Sequence, residues 1–130
     1  VKKQEREMMN KIKIDVQTHY IEEQSKPEQD YYVFAYTIKI KNKGDSAAKL
    51  LNRHWVITDS NQKVQEVRGK GVVGEQPHLE PGEEFVYTSG TMLETAVGTM
   101  RGSYEMQAED GSTFDAPVDE FVLSTPRVLH

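Results

Sequence analysis

Along most of this chain apolar and polar side chains alternate one for one. Ile12, Ile14 and Val16 are interleaved with Lys13, Asp15 and Gln17, the period of a strand that turns one face to a core. From Tyr32 the alternation strengthens. Tyr32, Phe34, Tyr36, Ile38 and Ile40 share one face, and Val33, Ala35, Thr37, Lys39 and Lys41 the other. Leu51, Arg53, Trp55 and Ile57 then repeat against Asn52, His54, Val56 and Thr58. Asp59-Ser60-Asn61 turns that run into Val64–Val67, which predicts a hairpin. Phe85 and Tyr87 open a further strand, with Val86 and Thr88 opposite. Met100, Gly102, Tyr104, Met106 and Ala108 share a face of the next. Asp110-Gly111 is a hairpin turn. Phe114 and Ala116 continue beyond it as far as Pro117, which has no amide to donate and so belongs at an edge or bulge. Phe121, Val122 and Leu123 form a last short run.

Turn chemistry separates these runs. The polar stretch Glu22–Asp30 contains Pro27; Asn42-Lys43-Gly44-Asp45 and Pro81-Gly82 are strong breakers. Ser89 to Gly98 reads as a loop. The pattern predicts seven to eight short antiparallel strands and no interior helix. That is an all-β protein, an immunoglobulin-like or fibronectin type III-like β-sandwich. Trp55 on the third strand and Tyr104 on a late one suit such a core.

At 130 residues the prior is one domain, here 12–130, with residues 1–11 as a lead-in too short for a stable isolated helix. The chain has no cysteine, which excludes disulfides, thiolate metal sites and a thiol nucleophile. No apolar run approaches the ~20 residues of a membrane span, and no signal-like segment opens the chain, so the expected location is cytoplasmic. A net charge of −5 argues against nucleic acid as a partner. The charge is uneven: Lys2, Lys3, Arg6, Lys11 and Lys13 outnumber Glu5 and Glu7 at the start, while acids dominate after Arg101.

Three glycines, Gly69, Gly71 and Gly74, have the GxGxxG spacing that brings backbone close to a pyrophosphate. Their context differs from that of a dinucleotide site. Gln76-Pro77 follows at once and Pro81-Gly82 soon after, leaving no room for the helix whose N-terminus holds the phosphates. A backbone nest without a helix remains open. Its residues would be Arg68, Gly69, Lys70, Gly71 and Gly74, opposed by Glu75, Glu80, Glu83 and Glu84. The plainer reading is a shaped loop beside a strand.

Arg53 falls on the nominal core face beside Trp55 and must reach solvent or a partner. His19, His54, His78 and His130 lack metal-site spacing, so no metal site is assigned. Thr88-Ser89-Gly90 is not a nucleophile elbow. Asp110, Asp115, Asp119 and Glu120 read as solvated charges guarding an edge.

RHWVITDSN (Arg53–Asn61), EVRGKGVVGEQPHLEPGEEFVYTSG (Glu66–Gly90) and GTMRGSYEMQAEDGSTFDAPVDEFVL (Gly98–Leu123) together closely resemble the ApaG family. The resemblance runs from about Ile12 to Leu123 and leaves the first eleven residues outside it. It implies a fibronectin type III-like sandwich, small stand-alone bacterial proteins, and a connection with cobalt and magnesium resistance or efflux. Similar domains in eukaryotic F-box proteins and in a DNA polymerase delta-interacting protein look like protein-interaction modules. The resemblance brings no catalytic mechanism and no cofactor.

The expectation is therefore a non-enzymatic domain that binds a protein partner, still unidentified. Open sheet edges offer pairing with a second copy, as a homodimer, or with an extended peptide. Tyr31 is a candidate contact. The alternative is a binder of phosphate, pyrophosphate or a diadenosine-type nucleotide through the glycine loop.

Overall fold

The computed structural model describes residues 11–126. Of the expected lead-in, residues 1–10 lie outside the described range, as does His130.

Among the described residues eight strands build two antiparallel sheets. They are β1 (Ile12–Tyr20), β2 (Tyr32–Asn42), β3 (Ala48–Asp59), β4 (Val64–Lys70), β5 (His78–Leu79), β6 (Glu84–Leu93), β7 (Val97–Ala108) and β8 (Thr113–Ser124). One sheet has the order β1-β2-β6. The other has β4-β3-β7-β8, with the short β5 also pairing with β3. The all-β sandwich is as the alternation predicts.

The inner faces carry the core. Phe34, Ile38 and Ile40 of β2 meet Leu50 and Trp55 of β3, Met100, Tyr104 and Met106 of β7, and Ala116 and Leu123 of β8, all buried. Each large apolar side chain in this set contributes ~1.5–3 kcal/mol by leaving water. Trp55 lies at the centre. The rings of Tyr36, Tyr104 and Phe121 stand edge-on to it at 5.8, 5.8 and 6.0 Å, a geometry that favours aromatic pairs.

Two irregularities depart from strict period two. The register between β3 and β7 shifts between Leu50 and Asn52. Leu50 is therefore the core residue, and Leu51, read from the sequence as inward, is only half-buried. The second shift lies between Met100 and Gly102 against Phe121 and Val118. Two residues of β8, Asp119 and Glu120, bulge opposite Arg101 of β7, and one continuous β8 replaces the two separate runs expected there. Gly102 at this point lets β7 close on β3, since a Cβ there would collide with the His54 carbonyl oxygen and lie 2.8 Å from Trp55 Cε3.

Two loops also differ from expectation, while the breaker at Asn42 ends β2 as expected. The polar stretch after β1 holds two single 3₁₀ turns, Glu22–Gln24 and Pro27–Gln29. Most of the expected loop from Ser89 to Gly98 is strand, since β6 runs to Leu93 and β7 begins at Val97. Asn42 is buried at the end of β2 and fully bonded, its Nδ2 donating to the carbonyls of Ser46 and Leu79 and its Oδ1 accepting from the Gly44 amide. It ties the β2–β3 connection to β5.

Candidate functional site

The glycine segment is a hairpin extension of β4. Gly69 lies within β4, opposite Arg53. The Gly71 amide donates to the Leu51 carbonyl and is engaged in the protein's own backbone. Val72 and Glu75 exchange both backbone hydrogen bonds, at 2.8 and 3.0 Å. Between them Val73 and Gly74 both have positive φ, 45° and 81°, the sign that a tight primed hairpin turn requires at both central positions. No helix follows, as the prolines dictate. Gly69 and Gly71 are thus ladder residues and Gly74 sits at an exposed turn tip.

Arg53 explains Gly69. Its guanidinium lies flat against the glycine, and a Cβ there would stand 2.7 Å from Cζ and both terminal nitrogens. Arg53 Nη1 donates to the carbonyls of Lys70 and Gly71 at 3.1 and 2.9 Å. A cation on the core face therefore finds backbone acceptors at the strand end and closes the glycine segment onto β3.

The outer face of the larger sheet is polar. Arg68 stands across from His54, and Lys70 across from Asn52. Ser103 and Glu105 of β7 continue the same rows. Glu66 joins two of these groups: its Oε1 lies 2.6 Å from His54 Nε2 and 3.3 Å from Arg68 Nη2. The bond from His54, then its charge, hold the Glu66 carboxyl below the ordinary carboxylate range. Asn52 Nδ2 donates to Glu105 at 2.6 Å. All of these but Glu66, together with Arg53, Gly69 and Asp115, surround an open hollow of about 610 Å³. Arg68, Gly69 and Lys70 thus come together on its rim, while Gly71 and Gly74 are not among its lining residues. Glu66 was not singled out in the sequence, since its importance comes from a cross-strand partner twelve residues away.

Inside the sandwich, the phenol oxygens of Tyr87 (β6) and Tyr104 (β7) are hydrogen-bonded to each other and buried. Burial pushes both phenols above the usual tyrosine range, so the pair stays neutral and serves as a polar tie between the sheets. Trp55 Nε1 has no oxygen or nitrogen partner among the described residues. It is enclosed by the rings of Tyr36, Tyr104 and Phe121. Among the described residues His78 pairs only with Glu80, at 3.1 Å. Among the described residues no three His, Asp or Glu side chains gather as a metal site, and no helix is long and apolar enough to cross a membrane.

The edges form the other candidate surface. Each sheet has two: β1 and β6 on the smaller, β4 and β8 on the larger. β4 presents Glu66, Arg68 and Lys70 to solvent, and β1 presents Lys13, Asp15 and His19. β8 carries Asp115, Pro117, the bulge, Asp119 and Glu120. The run from Phe85 to Leu93 of β6 carries no charge and no proline, and its pairing with β2 has no register shift. Which strands are edges follows from strand order, so local sequence could not single out β6.

A family model described as the ApaG domain matches residues 22–108. The chain belongs to the ApaG family. Protein ApaG of Azoarcus sp. (strain BH72) is 62% identical over 120 residues, covering 92% of this chain and 94% of its own length. Protein ApaG of Nitrosomonas europaea is 55% identical over 126 residues, covering 97% and 99%. Among solved structures, the putative ApaA protein from Bordetella pertussis superposes with a TM-score of 0.87 at 52% identity, over 90% of this chain and 95% of that one. A protein from Archaeoglobus fulgidus shares the fold with a TM-score of 0.51 at 11% identity, over 90% of this chain and 99% of that one. The names of the ApaG relatives carry no enzymatic activity.

Proposed function

We propose that this ApaG domain is a non-catalytic binding module that docks another protein through a sheet edge or face. The observation that carries this reading is the contrast among the edges. Three are guarded by charge, proline or a bulge, and the fourth, β6, presents an uncharged run with Val86 and Met92 52% and 40% exposed. Natural sheets blunt edges that must not pair, and an edge left open is a place for a partner. In the hollow on the larger sheet His54 bonds to Glu66 and Asn52 to Glu105, and among the described residues no hydrogen bond joins Ser103 to His54 as a nucleophile to its base, which supports the non-catalytic reading. The connection with cobalt and magnesium efflux then runs through the partner rather than through a metal held here, and the working location is the cytoplasm.

The test is photo-crosslinking in cells from residues placed at positions 86, 97 and 122, followed by titration of the purified captured protein. A saturable complex, retained at physiological salt, is expected. Absence of any crosslinked protein from all three positions would contradict the reading.

A second reading has its own observation. Arg68 and Lys70 share a rim with His54 and Gly69, and an anion such as pyrophosphate or a diadenosine-type nucleotide could bind there. Glu66, Glu105 and Asp115 oppose it. Thermal unfolding with pyrophosphate and with diadenosine tetraphosphate decides. A ligand at 100 times its dissociation constant stabilises by ~2.7 kcal/mol, and a shift abolished in Lys70→Ala would establish the site.

A further inference from the structure

We infer that β6 is a strand-addition site for an extended segment of a different protein, with alternating apolar or β-branched residues and Lys or Arg at the end that lies beside Glu84. This rests on the protein-binding reading above and specifies its surface and partner chemistry.

The hydrogen-bond phase of the sheet fixes which backbone groups are free. The Asn42 amide donates to the Glu83 carbonyl, in register with the β2–β6 pairing that follows. Bonded and non-bonded pairs alternate in an antiparallel ladder. Phe85, Tyr87, Ser89, Thr91 and Leu93 therefore bond to β2, and the backbone groups of Val86, Thr88, Gly90 and Met92 face outward. The close approach of the Thr37 and Thr88 hydroxyls, 2.8 Å apart, fits the short spacing of a non-bonded pair. The same alternate residues put their side chains on the exposed face. An added strand would thus gain a run of backbone hydrogen bonds and meet Val86 and Met92 with every second side chain.

The same phase analysis separates β6 from β8. The Ala108 amide donates to Ser112, so in the first half of β8 the outward positions are Thr113, Asp115 and Pro117. Proline removes the outward donor at one of them, and the bulge at Asp119 and Glu120 interrupts the rest.

Charge chooses between a second copy and a foreign strand. The start of β6 gathers Glu80, Glu83 and Glu84 against Lys41 of β2, which stands across from Glu84. Consider two copies pairing β6 antiparallel about a two-fold axis. The register that sets Val86 against Met92 of the other copy also sets Glu84 against Glu94. A shift of two residues either way places Glu84 opposite Met92 or Val86 opposite Glu94. Each arrangement loses an apolar pair or opposes carboxylates, and like charges directly opposite destabilise a sheet. A strand with a basic residue at that end meets no such conflict.

The experiment is panning a displayed library of random twelve-residue peptides on the folded protein, followed by NMR titration of enriched peptides. Expected are alternating apolar or β-branched peptides with a basic end. Their binding shifts the amides of Val86, Thr88, Gly90 and Met92 and slows their hydrogen exchange. Thr88→Pro, which removes an outward amide, should weaken binding by ~tenfold or more, about 1.4 kcal/mol, while Thr18→Pro on the β1 edge leaves it unchanged. Should Thr88→Pro fail to fold, the double change Glu83→Lys with Glu84→Lys serves instead and should reverse the preference toward acidic ends. Enriched peptides that shift β1, β4 or β8 overturn the assignment to β6 and leave the protein-binding reading standing. So does a concentration-dependent dimer that protects those four amides. A library that enriches nothing also overturns strand addition, whereas the protein-binding reading itself falls only in the crosslinking test.

Discussion

The β6 and β8 strands are both long edges of the same sandwich, and they are built to opposite ends. β8 follows a hairpin turn, points Asp115 and Pro117 outward, and then bulges at Asp119 and Glu120. β6 runs its full length against β2 without interruption and without a charge between Glu84 and Glu94. Burial demands on the inner faces are alike, since both strands supply core residues, Tyr87 and Leu93 from one and Phe114, Ala116, Val118 and Leu123 from the other. The difference lies in the outward positions, which the core does not constrain. That is where a partner, or its exclusion, would leave a mark on the sequence.

The contrast can be broken or sharpened by substitution. The largest effect is expected at Gly102, where β7, the strand that carries β8, closes on β3. Gly102→Val drives a side chain into the His54 carbonyl and Trp55, and overpacking of this kind costs about 3 kcal/mol. Urea unfolding should show that loss, with hydrogen exchange in β8 accelerated before exchange in β6. Equal stability to the parent would mean that β7 and β3 do not depend on this close approach.

Next is the tie that sets β6 over the larger sheet. Tyr87→Phe leaves the buried Tyr104 hydroxyl without its partner, a loss of ~1–2 kcal/mol, and Tyr104→Phe does the same in reverse. The double variant removes both polar groups and should recover much of the loss. Additive losses in the thermal melts would show that the two hydroxyls are not coupled.

Edge changes should barely touch stability, within ~0.5 kcal/mol as for other surface positions. Their effect is on association. Pro117→Val combined with Asp115→Thr restores the outward amide and removes a charge, and sedimentation should detect new self-association through β8. If that variant self-associates no more than the parent at high concentration, the guard on β8 lies in the bulge alone.

The smallest effect concerns Glu66. The bond from His54 holds its folded pKa below the ordinary 4.5. A depressed carboxylate pKa contributes stability above the unfolded value, and the contribution disappears as pH falls through the folded value. His54→Gln should return the Glu66 titration, followed by NMR, toward 4.5, with little change in melting at neutral pH. The exposed position keeps the energy small.

Much of the fold was legible because a half-buried sheet writes its period into the chain. Phe34, Tyr36, Ile38 and Ile40 were placed inward by alternation alone, and all are buried. Alternation failed where the backbone slips by one residue. At Leu50 and Leu51 two adjacent leucines give no local hint of which faces the core, and the register shift decides. The loop expected after Ser89 is strand because β2 is long enough to pair with β6 as far as Leu93. The glycine segment was legible in its negative part, since Pro77 and Pro81 forbid the helix. Its positive part, Arg53 lying on Gly69, required knowing that β3 and β4 are neighbours in that register. Edge identity was the least legible, because it is a property of the strand order of the whole sandwich.

The most direct measurement is amide hydrogen exchange along β6 in the isolated protein at low concentration. Phe85, Tyr87, Ser89 and Thr91 should be protected by β2, and Val86, Thr88, Gly90 and Met92 should exchange fast, giving a strict alternation. Protection of all eight amides under these conditions would mean that the edge is already covered by the protein itself, and would contradict an open docking strand.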